Sequence, residues 1–317
     1  MGYSRYRYVN FVFLATIIIS YMAPFIPFAS FVKNRILLLV ISQIILIIPF
    51  IVYLFVTKQK YSTAIGLKKL SIPNVLLLTV FSFCLRPLMT LVNAFSRQYA
   101  VDSTAGLMID IATQNPFLLT LVCVAIIPAI FEESVYRGAF YQEYRKMNPL
   151  GAIFFSALLF GLLHGNLNQF TYAFIMGIIM AVVIEATDSI LSTMIIHFVL
   201  NGVSVVALYA LPLIDENYKE LLAEASQVQK FDLKVILQVN IVPVVIGCII
   251  GYFVLVQVAN NCQRLDHMRE LFRSRREEDK LKRLPIPSLL TFPLVLGIAI
   301  CIITIIANEI LVRGVFK

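Results

Sequence analysis

Pro116-Phe117-Leu118-Leu119-Thr120-Leu121-Val122-Cys123-Val124-Ala125-Ile126-Ile127-Pro128-Ala129-Ile130-Phe131-Glu132-Glu133-Ser134-Val135-Tyr136-Arg137 decides how this chain is read. Nothing from Pro116 to Ile130 carries a charge, and then two adjacent carboxylates and an arginine follow. A helix needs about 20 apolar residues to cross the hydrocarbon core of a bilayer, and this stretch supplies them. Ionisable groups inside such a run are costly unless paired or put to use, so they mark a functional site by default.

Outward from this stretch the same pattern recurs. Apolar segments cover roughly 9–29, 35–56, 73–95, 116–140, 149–165, 169–186, 189–211, 236–259 and 289–312. Hydrophobic residues make up 60% of the 317-residue chain and charged residues 14%, with a mean hydropathy of +0.87. That composition excludes an ordinary soluble domain and predicts an all-α polytopic membrane protein. Eight or nine transmembrane helices are expected, because the fifth and sixth segments are short. The chain divides into N-terminal helices over 1–115, a tightly connected four-helix unit over 116–211, and a region over 212–317 broken by hydrophilic insertions at 212–235 and 260–288.

The first segment begins with Arg5 and Arg7 but offers no small-x-small cleavage site at Tyr21-Met22-Ala23-Pro24, so it reads as a retained anchor. With the N-terminus in the cytoplasm, 17 Lys and Arg fall in inside loops and 8 outside, leaving Arg86 within a span. This places a multi-pass protein in the cell membrane, N-terminus inside. The net charge of +8 needs no nucleic acid to explain it, since eight basic residues lie between Arg264 and Arg283, a topology-setting loop that anionic headgroups also suit. The five cysteines, Cys84, Cys123, Cys248, Cys262 and Cys301, show no spacing of a metal knuckle or disulfide framework.

Partners for the paired carboxylates follow downstream. Of three histidines, His267 lies in the basic loop and reads as a solvated surface residue, whereas His164 and His197 lie in apolar segments. If the fourth and fifth segments form a hairpin turning at Asn148-Pro149, Glu132 is 16 residues before Asn148 and His164 16 after it. Both then sit about 24 Å along their helices from the turn. His197 and Asn201 are four apart and share a face. Adjacent helical residues diverge by about 100°, so the two glutamates take different roles. Glu133 and Arg137 have the spacing of a helical ion pair, which leaves Glu132 to face the histidines.

A carboxylate, a histidine at its depth and a His/Asn pair on a third helix suit water activation for attack on a carbonyl, with Glu132 as base. His197 and Asn201 suit an oxyanion site. Alternatively, Zn²⁺ held by glutamates and histidines activates the water, although no H-E-x-x-H is present. Other polar residues have simpler readings. Arg86, before Pro87, is structural. Pro128 kinks its span and opens backbone groups near the site. The segment Gly138–Met147 is amphipathic and interfacial, and Gly165–Gln169 is an interhelical loop, with a lining of the cavity as the alternative. Glu185 and Asp188 are solvated at a tight turn, and Asn308-Glu309 are interfacial.

The ordered set Glu132-Glu133-x-x-x-Arg137, Phe160-x-x-x-His164 and His197-x-x-x-Asn201 resembles the CPBP family. That family comprises the type II CAAX prenyl proteases and the bacteriocin-processing and immunity proteins. The resemblance covers 116–211, about a third of the chain, with no departure at the motif positions. It implies an intramembrane endopeptidase acting on a membrane-associated protein or peptide within the lipid bilayer. Glu132 and His164 would activate water, His197 and Asn201 would form the oxyanion hole, and Glu133 and Arg137 would support them. It implies no cofactor, with zinc as the alternative and Glu132, Glu133, His164 and His197 as its ligands. The competing functions are a non-catalytic scaffold or bacteriocin immunity protein, and a proton-coupled transporter.

Overall fold

The computed structural model describes residues 5–23, 34–101, 104–215, 217, 232–273 and 289–315. Pro24 of the first segment, most of the insertion at 212–235, and residues 274–283 of the basic loop lie outside the described residues. All regular structure among the described residues is helical. The helices are α1 (Arg5–Met22), α2 (Arg35–Thr57), α3 (Tyr61–Ala64), α4 (Ile72–Ser96), α5 (Ala105–Gln114), α6 (Phe117–Arg145) and α7 (Pro149–Leu163). They continue with α8 (Leu167–Thr187), α9 (Ile190–Ile214), α10 (Leu233–Asn261), α11 (Leu265–Phe272) and α12 (Phe292–Val315).

Seven of these, α2, α4, α6, α8, α9, α10 and α12, are long and apolar enough to cross a membrane. The other two apolar segments form the 18-residue α1 and the 15-residue α7. The protein is an all-α polytopic membrane protein. Its large outward-facing side chains, such as Phe55, Val239 and Phe253, are those a lipid environment requires.

α6 is the centre of the arrangement. It packs against α2, α7 and α9, while α4 packs along α10 and α7 along α8. Its 29 residues are not uniform: Val122–Ile126 and Ser134–Tyr141 are π-helical. Such i→i+5 stretches widen the turn and re-aim side chains, and they recur at functional sites. Pro128 lies between the two and has no N–H to give, so the carbonyl four residues earlier, on Val124, has no donor from that position. Within the segment after Gly138, Phe140, Tyr141 and Tyr144 are fully buried, because α1 and α7 cover them.

α7 starts as its sequence dictates, with Pro149 in the first turn and the Asn148 side chain accepting from Gly151 N at 3.0 Å. It stops early. At His164 the chain turns through Gly165, whose φ of +63° is the left-handed conformation open to glycine. Fifteen residues rise only about 22 Å, so this turn lies at membrane depth, where free backbone groups need partners. Asn308 of α12 supplies one, donating through Nδ2 to Gly165 O at 2.8 Å. Asn308 is therefore a partner of the turn next to His164.

α7 and α8 approach closely at Ala157 and Gly177. A Cβ on Gly177 would lie 2.8 Å from Ala157 Cα and 3.3 Å from Arg137 Nη2. Gly177→Val is expected to push α7 off α8 and cost about 1–3 kcal/mol. Heating detergent-solubilised protein before size-exclusion chromatography checks this; an unchanged thermal midpoint contradicts the close packing.

At the end of the bundle where α8 meets α9, Glu185 is 1% exposed, not solvated. It accepts from Arg145 Nη2 at 3.3 Å, from Arg264 Nη2 at 3.4 Å, and from Tyr141 and His267. The expectation of a solvated Glu185 fails because cations from α6 and from the segment around α11 converge on one carboxylate, which makes its burial tolerable, while His267 binds it from a partly exposed position. Asp188, in the turn itself, pairs with Lys68 and with Arg145 Nη1, the latter at 3.1 Å. Burial alone would raise its carboxyl, but Lys68 and Arg145 outweigh this and hold it below the usual carboxylate range.

Candidate active site

Glu133 is wholly buried and binds two partners through one oxygen. Arg137 Nη1 donates to Oε1 at 3.2 Å, and His197 Nδ1 lies 3.0 Å from the same atom. A carboxylate accepts, so His197 carries its proton on Nδ1, and its Nε2 points the other way. That nitrogen lies 3.9 Å from Glu132 Oε2. The two glutamates diverge around the helix as adjacent residues must, and one imidazole ring reaches both because its nitrogens also diverge. A separation of 3.9 Å is too long for a direct hydrogen bond, and one water bonded to both atoms can bridge it.

The carboxylates differ in access. Glu132 keeps 14% side-chain exposure and Glu133 none. Glu132 Oε1 accepts from Gln43 Nε2 of α2 at 2.8 Å, while Gln43 Oε1 is buried without a partner. Gln43 was not singled out in the sequence. Its signal was there: it is the one amide in the apolar run 35–56, and polar residues in spans usually face a site.

Phe160 joins the elements. Its ring lies 4.3 Å from the Arg137 guanidinium, 5.0 Å from the His164 ring, 6.2 Å from the His197 ring and 5.1 Å from the Tyr136 ring. The cation over the ring face helps to offset the burial of Arg137, whose Nε and Nη2 have no hydrogen-bond partner. His164 Nδ1 bonds to Phe160 O at 2.8 Å. The carbonyl can only accept, so Nδ1 is protonated and the lone pair of the neutral ring is on Nε2. His164 is thus on the same cluster through Phe160, with no direct hydrogen bond to Glu132.

Asn201 lies one turn beyond His197 on α9. Its Nδ2 donates to Val124 O at 3.1 Å, the carbonyl that Pro128 leaves open. An amide nitrogen has two hydrogens, so one remains for a further acceptor.

Two cavities flank these residues. One, of about 490 Å³, is apolar and is lined by Ile126, Ala129 and Ile130 of α6 and by Met194, Ile195 and Phe198 of α9. The other, of about 300 Å³, is polar and is lined by Asn201, Ser204, Arg86, Asn93 and Asn168. Asn168 thus belongs to a cavity wall, the alternative reading of its segment. Among the described residues no three His, Cys, Asp or Glu side chains gather to hold a metal ion, Glu132, Glu133, His164 and His197 included.

Comparison with curated proteins and with solved structures gave no match. The family model described as type II CAAX prenyl endopeptidase, Rce1-like, matches residues 114–203, a range that holds Glu132, Glu133, Arg137, Phe160, His164, His197 and Asn201. By this match and by the ordered motifs it contains, residues 114–203 of the chain are similar to the CPBP family.

Proposed function

We propose that the protein is an intramembrane endopeptidase that hydrolyses a peptide bond of a membrane-associated protein or peptide. The observation that carries this reading is one imidazole, His197, held by buried Glu133 on one nitrogen and facing Glu132 across a water-sized gap on the other. Glu132, the carboxylate with solvent access, takes a proton from a water there. The water oxygen adds to the substrate carbonyl carbon, and the carbonyl π electrons move to its oxygen. Asn201 donates the second hydrogen of its Nδ2 to that oxyanion in this reading. The C–N bond then breaks as the leaving nitrogen receives the proton from Glu132. Glu133 and Arg137 keep His197 in the tautomer and orientation this needs. The apolar cavity between α6 and α9 suits an apolar portion of the substrate.

The basic residues at the Glu185 end, by the positive-inside rule, assign that end to the cytoplasm. Substrate trapping tests the function. Glu132→Ala protein in native membranes is expected to retain peptides that wild type cleaves, identified by mass spectrometry as intact in the variant and shortened in wild type. Identical peptide profiles in membranes with wild-type and Glu132→Ala protein would favour a scaffold or immunity role instead.

A further inference from the structure

Gln43 stands at the ninth position of the 23-residue α2, about 12 Å from the start of the helix. It lies on the same buried stripe as Leu46, Phe50 and Tyr53, the face that α2 turns to the bundle. α2 is outside the residues 114–203 that the family model matches. Gln43 Nε2 donates to Glu132 Oε1 at 2.8 Å, and Gln43 Oε1 is buried with no partner. A buried acceptor without a donor is unfavourable, so this orientation of the amide needs a cause. The carboxylate is that cause. Rotating the amide by half a turn would set two acceptor oxygens against each other, so Gln43 keeps its N–H on Glu132 and leaves its own oxygen orphaned.

The carboxylate gains a fixed plane. The terminal torsion of a glutamate is broad and nearly two-fold, so without a partner its two oxygens exchange places. With Oε1 held from α2, Oε2 is the oxygen directed at His197 Nε2, 3.9 Å away. His197 is fixed on its other nitrogen by Glu133 at 3.0 Å. The gap between Oε2 and Nε2 is thus held from both sides, by Gln43 on one and by Glu133 on the other. We propose that Gln43 is a positioning residue for hydrolysis, reserving Glu132 Oε2 as the oxygen that takes the proton of the attacking water. In that step the water O–H bond breaks and its electron pair forms the bond to the carbonyl carbon. The proton binds Oε2 rather than Oε1, which already accepts from Gln43, and passes from Oε2 to the leaving nitrogen. This role rests on the peptidase reading; the hold of Gln43 on Oε1 does not. The competing role is a plain hydrogen-bonded tie between two spans, and the two roles differ in what they do to turnover.

The full chain in phosphatidylcholine nanodiscs is assayed with a quenched fluorescent peptide spanning the cleavage site found by trapping on Glu132→Ala. Gln43→Met keeps the length of the side chain and removes the orphaned oxygen together with the donor, so the protein is expected to stay monodisperse. Its kcat should fall about 10–100-fold with KM unchanged, the scale of loss for a small misplacement of a reacting group. In the Glu132→Gln background no basic oxygen remains to be positioned, and adding Gln43→Met should cost nothing further. Unchanged kcat, a loss confined to KM, or an equal loss in both backgrounds overturns the positioning role. Infrared spectra need neither turnover nor a folded Gln43 variant. The Glu132 carboxylate bands are those that wild type shows and Glu132→Gln lacks. Hydrogen bonding at one oxygen should split the antisymmetric and symmetric stretches more widely than in free glutamate, and Gln43→Met should narrow that splitting. A narrow splitting in wild type, or a protonated carboxyl, overturns the proposal. If the splitting is wide in wild type and narrows in Gln43→Met, yet wild type cleaves no peptide, the peptidase reading fails and the hold on Oε1 stands.

Discussion

Glu132→Gln is expected to lower peptide hydrolysis by about 10²–10⁴-fold, the usual contribution of a positioned general base, while the protein stays folded. The amide is isosteric and keeps an oxygen to accept from Gln43 Nε2, so the α2–α6 contact at 2.8 Å survives. It has no basic oxygen at pH 7, so the water facing His197 Nε2 keeps its proton. The loss should fall on kcat rather than KM, because the substrate still occupies the cavities. The measurement is turnover of a trapped substrate by purified variant at matched, monodisperse concentration. Wild-type turnover in Glu132→Gln would remove this residue as the base. Glu133 is a poor replacement in that role, since it is wholly buried and its Oε1 is taken by Arg137 and His197.

What the sequence made legible depended on whether the partners were local. Glu133 and Arg137 pair at 3.2 Å as their i,i+4 spacing predicts, and the hairpin at Asn148 brings α6 and α7 side by side as the depth argument requires. Helix geometry separated the two glutamates but left Glu132 alone to face the histidines, whereas His197 hydrogen-bonds Glu133 at 3.0 Å and lies 3.9 Å from Glu132. Contacts between distant segments were not legible. Glu185 sits 79 residues before Arg264, and no local pattern announces that this cation will bury it. Gln43 reaches Glu132 across 89 residues of sequence. The π stretches in α6 escaped because apolar periodicity is nearly blind to a single extra residue per turn. Asn201 was placed on the right face, yet its hold on Val124 O needed the knowledge that Pro128 had opened that carbonyl. The last span, read as unrelated to the site, contributes Asn308 to the turn after His164.

Arg137→Met is expected to destabilise the fold by about 3–5 kcal/mol, because it leaves the Glu133 carboxylate buried with no cation. Arg137 is 0% exposed and also covers the Phe160 ring at 4.3 Å, so packing and charge are lost together. Arg137→Lys should recover only part of this, since an ammonium lacks the planar face that stacks on Phe160. A double variant separates folding from function. Replacing a buried ion pair by apolar residues of similar volume is often neutral or stabilising, so Glu133→Met with Arg137→Met should restore the monodisperse, heat-resistant protein that Arg137→Met alone loses. Hydrolysis should not return with it. Without Glu133 the His197 Nδ1 proton loses its acceptor at 3.0 Å, and nothing then fixes the tautomer or the direction of Nε2 toward Glu132. A double variant that is both stable and active would mean that Glu133 neutralises Arg137 and does nothing for His197, and the orienting role assigned to it would be wrong.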